Sequence, residues 1–304
     1  PPFHGGFVGS NPAGVTRNFA ASFEERLFCY TEAKLMTECR REGEIMAQDT
    51  DRGAAARLLL QLEEWMARYI KSFYNPKDSI QRMILAKEEH TARVRAICRE
   101  LALFLRLSPE DMALAEIMGL LHDTGRFRQF TIYQTFNDAI SEDHAELGLR
   151  VIEEAKLLRP LPEEAREVVI FAIRNHNKKA IAETADPRRL FFARFLRDVD
   201  KLDIYRVLEP FLAPSDGSGI SPDFLAKFAT GEQVDYTMIR TLDDRKLVRL
   251  MWIYDVNFAW VLQRIVERGY IDKIIACLPK DEALAAGISR LRSYVAEKCA
   301  TPDL

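Results

Sequence analysis

The sequence predicts an all-α fold. Apolar residues recur at helical spacing along almost the whole chain, helix-start signals recur between the apolar runs, and no segment alternates apolar and polar as a strand would. The first sixteen residues, PPFHGGFVGSNPAGVT, are rich in Gly and Pro and lack the basic-then-apolar layout of a signal peptide. They are expected to form a flexible tail over residues 1–20. Residues 21–304 are expected to form a single helical domain.

Residues 23–47 and 54–74 read as two helices divided by the polar run Gln48 to Gly53. In the next helix His90, Val94, Ile97, Leu101 and Phe104 fall on one face, so His90 stands where an apolar stripe begins. Ser108-Pro109-Glu110-Asp111 combines a capping hydroxyl, a proline in the first turn and acids that complement the helix dipole. The helix it opens turns Leu114, Ile117, Met118 and Leu121 inward and runs to His122-Asp123, with Gly125 expected to stop it. Ser141-Glu142-Asp143-His144 resembles another start, followed by Leu147, Val151 and Leu158 at helical spacing. Pro162-Glu163-Glu164 opens a helix whose buried face holds Ala165, Val169, Ala172, Ile173 and then His176. A helix over roughly 188–208 carries Asp198, Asp200 and Asp203, and the Pro-, Gly- and Ser-rich stretch 209–222 reads as a loop. In the last third, Leu247, Leu250, Met251, Tyr254, Phe258, Val261 and Ile265 form one long stripe. Trp252, Tyr254, Phe258 and Trp260 are expected to pack in a core there.

Of the 304 residues 48% are hydrophobic and 29% charged, enough apolar material for a sizeable core. With 43 basic and 46 acidic side chains the net charge is -3, which argues against a partner held by its phosphates over a long stretch, such as a nucleic acid. Cys29, Cys39, Cys98, Cys277 and Cys299 are odd in number and widely spaced, which fits a reducing, cytoplasmic compartment better than a disulfide framework. Charges interrupt every apolar run, so no membrane span is expected. Gly217-Ser218-Gly219 lacks the lysine and helix context of a phosphate-binding loop. Oligomeric state, a homo-oligomer included, is left open.

Four of the five histidines lie between residues 90 and 176, each at a helix end or on an apolar side. A histidine beside a core stripe needs partners for its ring nitrogens. One alone is most simply bonded to a backbone carbonyl. His90, His122, His144 and His176 together, with Asp123 and Asp200, are the donors a divalent transition metal needs in a helical core. Periodicity does not choose between Asp198 and Asp200, since both continue an apolar stripe.

The order of these residues resembles the HD superfamily of metal-dependent phosphohydrolases. The stretches that carry it are Lys87-Glu88-Glu89-His90-Thr91-Ala92-Arg93-Val94, then Leu120-Leu121-His122-Asp123-Thr124-Gly125-Arg126-Phe127, then Asp198-Val199-Asp200-Lys201-Leu202-Asp203. The resemblance covers roughly residues 80–210, which makes the expected fold an HD-domain helical bundle with extra N- and C-terminal helices, the C-terminal extension over 236–300. It implies that His90, His122, Asp123 and Asp200 hold a metal, with Asp200 chosen because a basic residue and leucine follow it. Asp143 to Gly148 and Asn175-His176-Asn177 resemble the added histidine positions of the two-metal branch, so His144 and His176 would complete a second site with Asp123 as bridge. One or two divalent ions (Mn, Fe, Ni, Co, Zn or Mg) are thus the expected cofactor. Asp123, Arg126 and Lys201 are the expected catalytic set, the two cations as phosphate contacts, while Lys178 and Lys179 are expected to be solvated charges.

The implied reaction is hydrolysis of a small phosphoester, for example a nucleotide or cyclic nucleotide, by metal-activated water. The cyclic-dinucleotide members carry Gly-Tyr-Pro after this histidine, whereas Asn177-Lys178-Lys179-Ala180 follows His176, so that substrate is unsupported. The superfamily also contains mixed-valent di-iron oxygenases with the same inventory of four histidines and two aspartates. A binding module that had lost its chemistry would lack a ligand, and none of the four core positions is missing here.

Overall fold

The computed structural model describes residues 53–232, 234 and 238–303. The expected tail and the helix over 23–47 lie outside the described residues. The first described helix, α1 (Ala54–Lys71), buries Leu58, Leu62, Met66 and Ile70 at helical spacing, and Glu110 accepts from the Ala55 amide at its start. There follow α2 (Asp78–Phe104), α3 (Pro109–Leu121), α4 (Thr124–Tyr133), α5 (His144–Glu154), α6 (Glu163–Asn175) and α7 (Pro187–Leu208). Beyond them come α8 (Pro222–Thr230), α9 (Leu242–Met251), α10 (Ala259–Glu267), α11 (Tyr270–Ala276) and α12 (Ala283–Ala300). The described residues contain no strand. None of their helices is long and apolar enough to cross a membrane.

Helix α3 is central, packing against α1, α2, α6 and α7. Leu114, Ile117, Met118 and Leu121 on it are fully buried, each contributing roughly 1.5–3 kcal/mol by removal from water. Its start follows the chemistry of the sequence: Ser108 Oγ accepts from the Asp111 amide at 3.1 Å, and Pro109 occupies the first turn. Helix α5 begins in the same way, with Asp143 accepting from the Ala145 and Glu146 amides.

Three expectations are corrected. Gly125 does not stop α3, which ends at Leu121 with His122 still in helical conformation; Gly125 instead lies inside α4. A Cβ there would stand 2.1 Å from the His144 carbonyl oxygen and 2.6 Å from the Gly148 amide nitrogen, so glycine is required by the close approach of α4 and α5. Phe104 is exposed, because α2 runs past the edge of the core and leaves that ring loosely against Trp260. The long C-terminal stripe is divided between α9 and α10 by a 3-10 turn at Trp252–Asp255 and an extended break after it.

Candidate metal centre

Four of the six residues singled out by sequence sit at or next to a helix boundary, and Asp200 sits on the inward side of α7. His122 caps the end of α3, Asp123 precedes α4, His144 opens α5, and His176 caps the end of α6. His90 projects from the middle of α2 and meets His122 and Asp123 at the junction of α3 and α4. All six are buried, with exposures from 0% for His122 to 9% for Asp200. The structure thus brings together every residue expected to be a metal ligand.

Asp123 stands between two pairs of imidazoles. Its Oδ2 is 3.5 Å from His90 Nε2 and 3.6 Å from His122 Nε2, while its Oδ1 is 3.3 Å from His144 Nε2 and 3.8 Å from His176 Nε2. Asp200 Oδ1 lies 3.1 Å from His90 Nε2 and 3.6 Å from His122 Nε2. The two aspartates that periodicity left equivalent are separated in space: Asp200 lies with the histidines and Asp198 points the other way. It accepts from the Asn257 and Phe258 amides at 2.6 and 2.7 Å and from Asn257 Nδ2 at 2.9 Å. Burial pushes its pKa up to about 6 against the pull of Lys201 and those donors.

The chemistry of the donors fits a cation. Each of the four histidines commits Nδ1 outward: His122 to the Gly119 carbonyl at 2.9 Å, His176 to the Ile173 carbonyl at 2.7 Å, His90 to Asp203 at 2.6 Å and His144 to Asp138 at 2.6 Å. Carbonyls and carboxylates accept, so Nδ1 carries the proton and Nε2 presents a lone pair to the centre. Burial lowers the His144 pKa to about 4, which keeps that ring neutral. Two bare nitrogens then face one another at 2.9 Å between His144 and His176, and Nε2 of His90 and Nε2 of His122 stand 3.3 Å apart. Donors about 2.1 Å from one cation at right angles would be about 3 Å apart. Overlapping sets of three donors, among them His90, His122 and Asp123 on one side and Asp123, His144 and His176 on the other, could each hold an ion.

Several supporting residues were not assigned from sequence. Asp203 takes both Nε and Nη2 of Arg93 at 2.7 and 2.9 Å while holding His90. Burial alone would raise its pKa, but His90 and Arg93 outweigh burial and hold it below the usual range. Asp138, from the 3-10 turn Asp138–Ile140, receives Arg126, Gln129, Asn177 and His144. Lys87 Nζ is 2.8 Å from Asp123 Oδ2. Asp203 had a signal, since it follows Asp200 by one helical turn, and Lys87 precedes His90 by one. Asp138 had none, because it lies in an irregular segment with no apolar pattern. Asp203→Asn is expected to weaken divalent-ion affinity by about 10- to 100-fold, as loss of such an orienting acceptor does. Chelator competition measures it, and an unchanged affinity would reduce Asp203 to a packing role.

Beside the cluster lies a cavity of about 190 Å³ lined by Lys87, Asp123, Arg126, His144, His176, Asn177, Lys178, Arg197, Asp200, Lys201, Ile204, Trp252 and Asp255. Arg126 and Lys201, the two expected phosphate contacts, both reach it. Lys178 is corrected: it is not a solvated charge but lines the cavity paired with Asp143. Lys179 is exposed as expected. Phe258 and Trp260 are buried in the core, and Trp252 and Tyr254 pack partly buried against it, Trp252 also forming part of the cavity wall. A larger cleft of about 600 Å³ between α5 and α6, lined by Lys156, Arg159 and Arg166 among others, contains none of the metal-capable groups.

Residues 88–205 match the family model described as HD domain, a span that holds all six clustered residues. The chain therefore carries an HD domain over these residues, and proteins with this domain are mostly metal-dependent hydrolases. Searches of curated proteins and of solved structures returned no match.

Proposed function

We propose that this chain hydrolyses a small phosphoester. The observation that carries the reading is the ring of cations around a metal-capable centre: Lys87, Arg126, Lys178, Arg197 and Lys201 all line the same small cavity. Such a wall suits an anionic substrate. A divalent cation in the His/Asp cluster would lower the pKa of a water towards neutrality and offset charge developing on phosphoryl oxygens.

The chain's own residues supply the rest. Arg126 fixes its Nη1 on Gln129, the Phe136 carbonyl and Asp138, leaving a buried Nε without a hydrogen-bond partner, 3.6 Å from Asp123 Oδ1. That edge of a rigid guanidinium is suited to a phosphoryl oxygen. Lys201 Nζ donates to the Asp255 carbonyl and carboxylate at 3.1 and 2.8 Å, which leaves a third proton for the substrate. Asn177 donates its amide to Asp138 and Asp143, and its buried Oδ1 is unpaired, an acceptor suited to orienting the attacking water. Lys87 keeps Asp123 ionised: burial would raise that carboxyl, and Lys87 with the neighbouring histidines holds it well below the usual range.

Arg126→Ala is expected to raise KM by about 10- to 100-fold, the worth of one or two charge-assisted hydrogen bonds, with metal content intact because Asp138 keeps Gln129, Asn177 and His144. Unchanged kinetics would remove Arg126 from the substrate. The reading as a whole is tested by reconstituting the protein with manganese, cobalt, nickel or zinc and assaying a panel of phosphomonoesters and phosphodiesters. Metal-dependent release of the alcohol is expected. Two irons per chain with substrate-dependent O2 uptake and no phosphoester turnover would overturn it in favour of oxygenase chemistry.

A further inference from the structure

The segment 252–258 lies beyond the residues matched as HD domain, yet it closes one side of the cavity beside the metal-capable cluster. Its Asp255 Oδ2 meets two cations at once, Arg197 Nη2 at 2.6 Å and Lys201 Nζ at 2.8 Å. The Asp255 side chain is 39% exposed, against 6% for Arg197 and 12% for Lys201, so the carboxylate stands at the mouth and the cations behind it.

Neither cation needs that carboxylate to stay in place. The other amino group of Arg197 donates to the Asn175 and Lys178 carbonyls, and Lys201 also donates to the backbone carbonyl of residue 255, which any side chain there retains. What the Asp255 carboxylate adds is a fixed negative charge facing the opening. The remaining cations of the wall are already matched, Lys87 by Asp123, Arg126 by Asp138 and Lys178 by Asp143. A second negative charge on an incoming substrate therefore finds no unmatched protein cation, and it meets Asp255 as well.

We infer that Asp255 is a specificity-determining residue that sets the charge of the accepted substrate, favouring a singly charged phosphodiester over a doubly charged phosphomonoester. The inference rests on the phosphoester reading above and narrows it. Two unit charges several ångströms apart near a protein surface interact strongly enough to shift such a preference by about tenfold, after allowance for solvent exposure.

The test compares the manganese-loaded full chain with its Asp255→Asn and Asp255→Glu variants. The probes are bis(p-nitrophenyl) phosphate and p-nitrophenyl phosphate, at a pH where the monoester is fully dianionic. In Asp255→Asn the ratio of kcat/KM for diester over monoester is expected to fall about tenfold. The fall should shrink on adding salt, as a charge effect does and a packing defect does not. Asp255→Glu should stay near the parent ratio. In parallel, calorimetry on the same proteins measures binding of inorganic phosphate and of dimethyl phosphate, which requires no turnover. Tighter phosphate relative to dimethyl phosphate in Asp255→Asn supports the inference even if neither ester is hydrolysed, an outcome that would overturn only the hydrolase reading. A ratio and relative affinities that do not move in Asp255→Asn overturn the inference while leaving hydrolysis intact. Failure of the parent protein to bind either anion overturns it as well.

Discussion

Asp123→Ala is expected to weaken both halves of the metal cluster at once. The two oxygens of Asp123 face opposite pairs of histidines, Oδ2 towards His90 and His122 and Oδ1 towards His144 and His176. Removing a single histidine leaves the opposite side with its own donors; removing this carboxylate leaves two imidazoles on the His144 side and two imidazoles with Asp200 on the His90 side. Elemental analysis should find bound metal reduced by at least about tenfold, and phosphoester turnover should fall by about 10³-fold, equivalent to roughly 4 kcal/mol of lost stabilisation of the transition state. The fold should persist, because Lys87, the cation that loses its partner, is 21% exposed and can reach water. A circular-dichroism spectrum matching the parent, with metal retained in full, would show that Asp123 is not shared between two sites.

Gly125→Ala acts on the same centre through the backbone. The new Cβ would meet the His144 carbonyl oxygen at 2.1 Å and the Gly148 amide at 2.6 Å, and neither atom can swing aside as a side chain can. Helix α4 must move off α5, and His144, the first residue of α5, moves with it. Destabilisation of about 3 kcal/mol or more is expected, at or beyond the upper end for overpacking, seen as a melting temperature lower by roughly 6–12 °C for a chain of this size. Metal should be lost first from the side built on His144 and His176. Gly148→Ala provides the contrast: its nearest neighbour outside its own helix would be the Gly125 amide nitrogen at 3.1 Å, so a shift of a few tenths of an ångström relieves it. Equal melting temperatures for the two variants would refute the close-approach account.

Much of the helical framework was legible because local chemistry and burial agree. Ser108-Pro109 and Asp143 mark helix starts that the structure places where the sequence puts them, and the inward faces of α3 and α6 follow their spacing. The four histidines and Asp123 were legible because buried polar groups conflict with an apolar stripe, whereas Asp200 was chosen over Asp198 by resemblance alone. What was hidden depends on tertiary approach. Gly125 resembles a helix stop until α5 is seen to press on it. Trp252 stands among aromatics expected to pack in a core, and its place in the 3-10 turn at 252–255 brings it to the cavity as well. Asp198 and Asp200 were equivalent in pattern because α7 is buried on nearly every side, so no polar face orients it. Asp255 lies more than fifty residues from Arg197 and Lys201, and no local signal connects them.

The enclosure of α7 has a thermodynamic consequence. Two residues apart on one rigid rod, Asp200 faces the histidines and Asp198 holds the break that leads into α10. Occupancy of the centre by an ion and attachment of the C-terminal helices thus draw on the same helix position and are linked. If loosening the attachment weakens the ion's hold by some factor, removing the ion must weaken the attachment by that same factor.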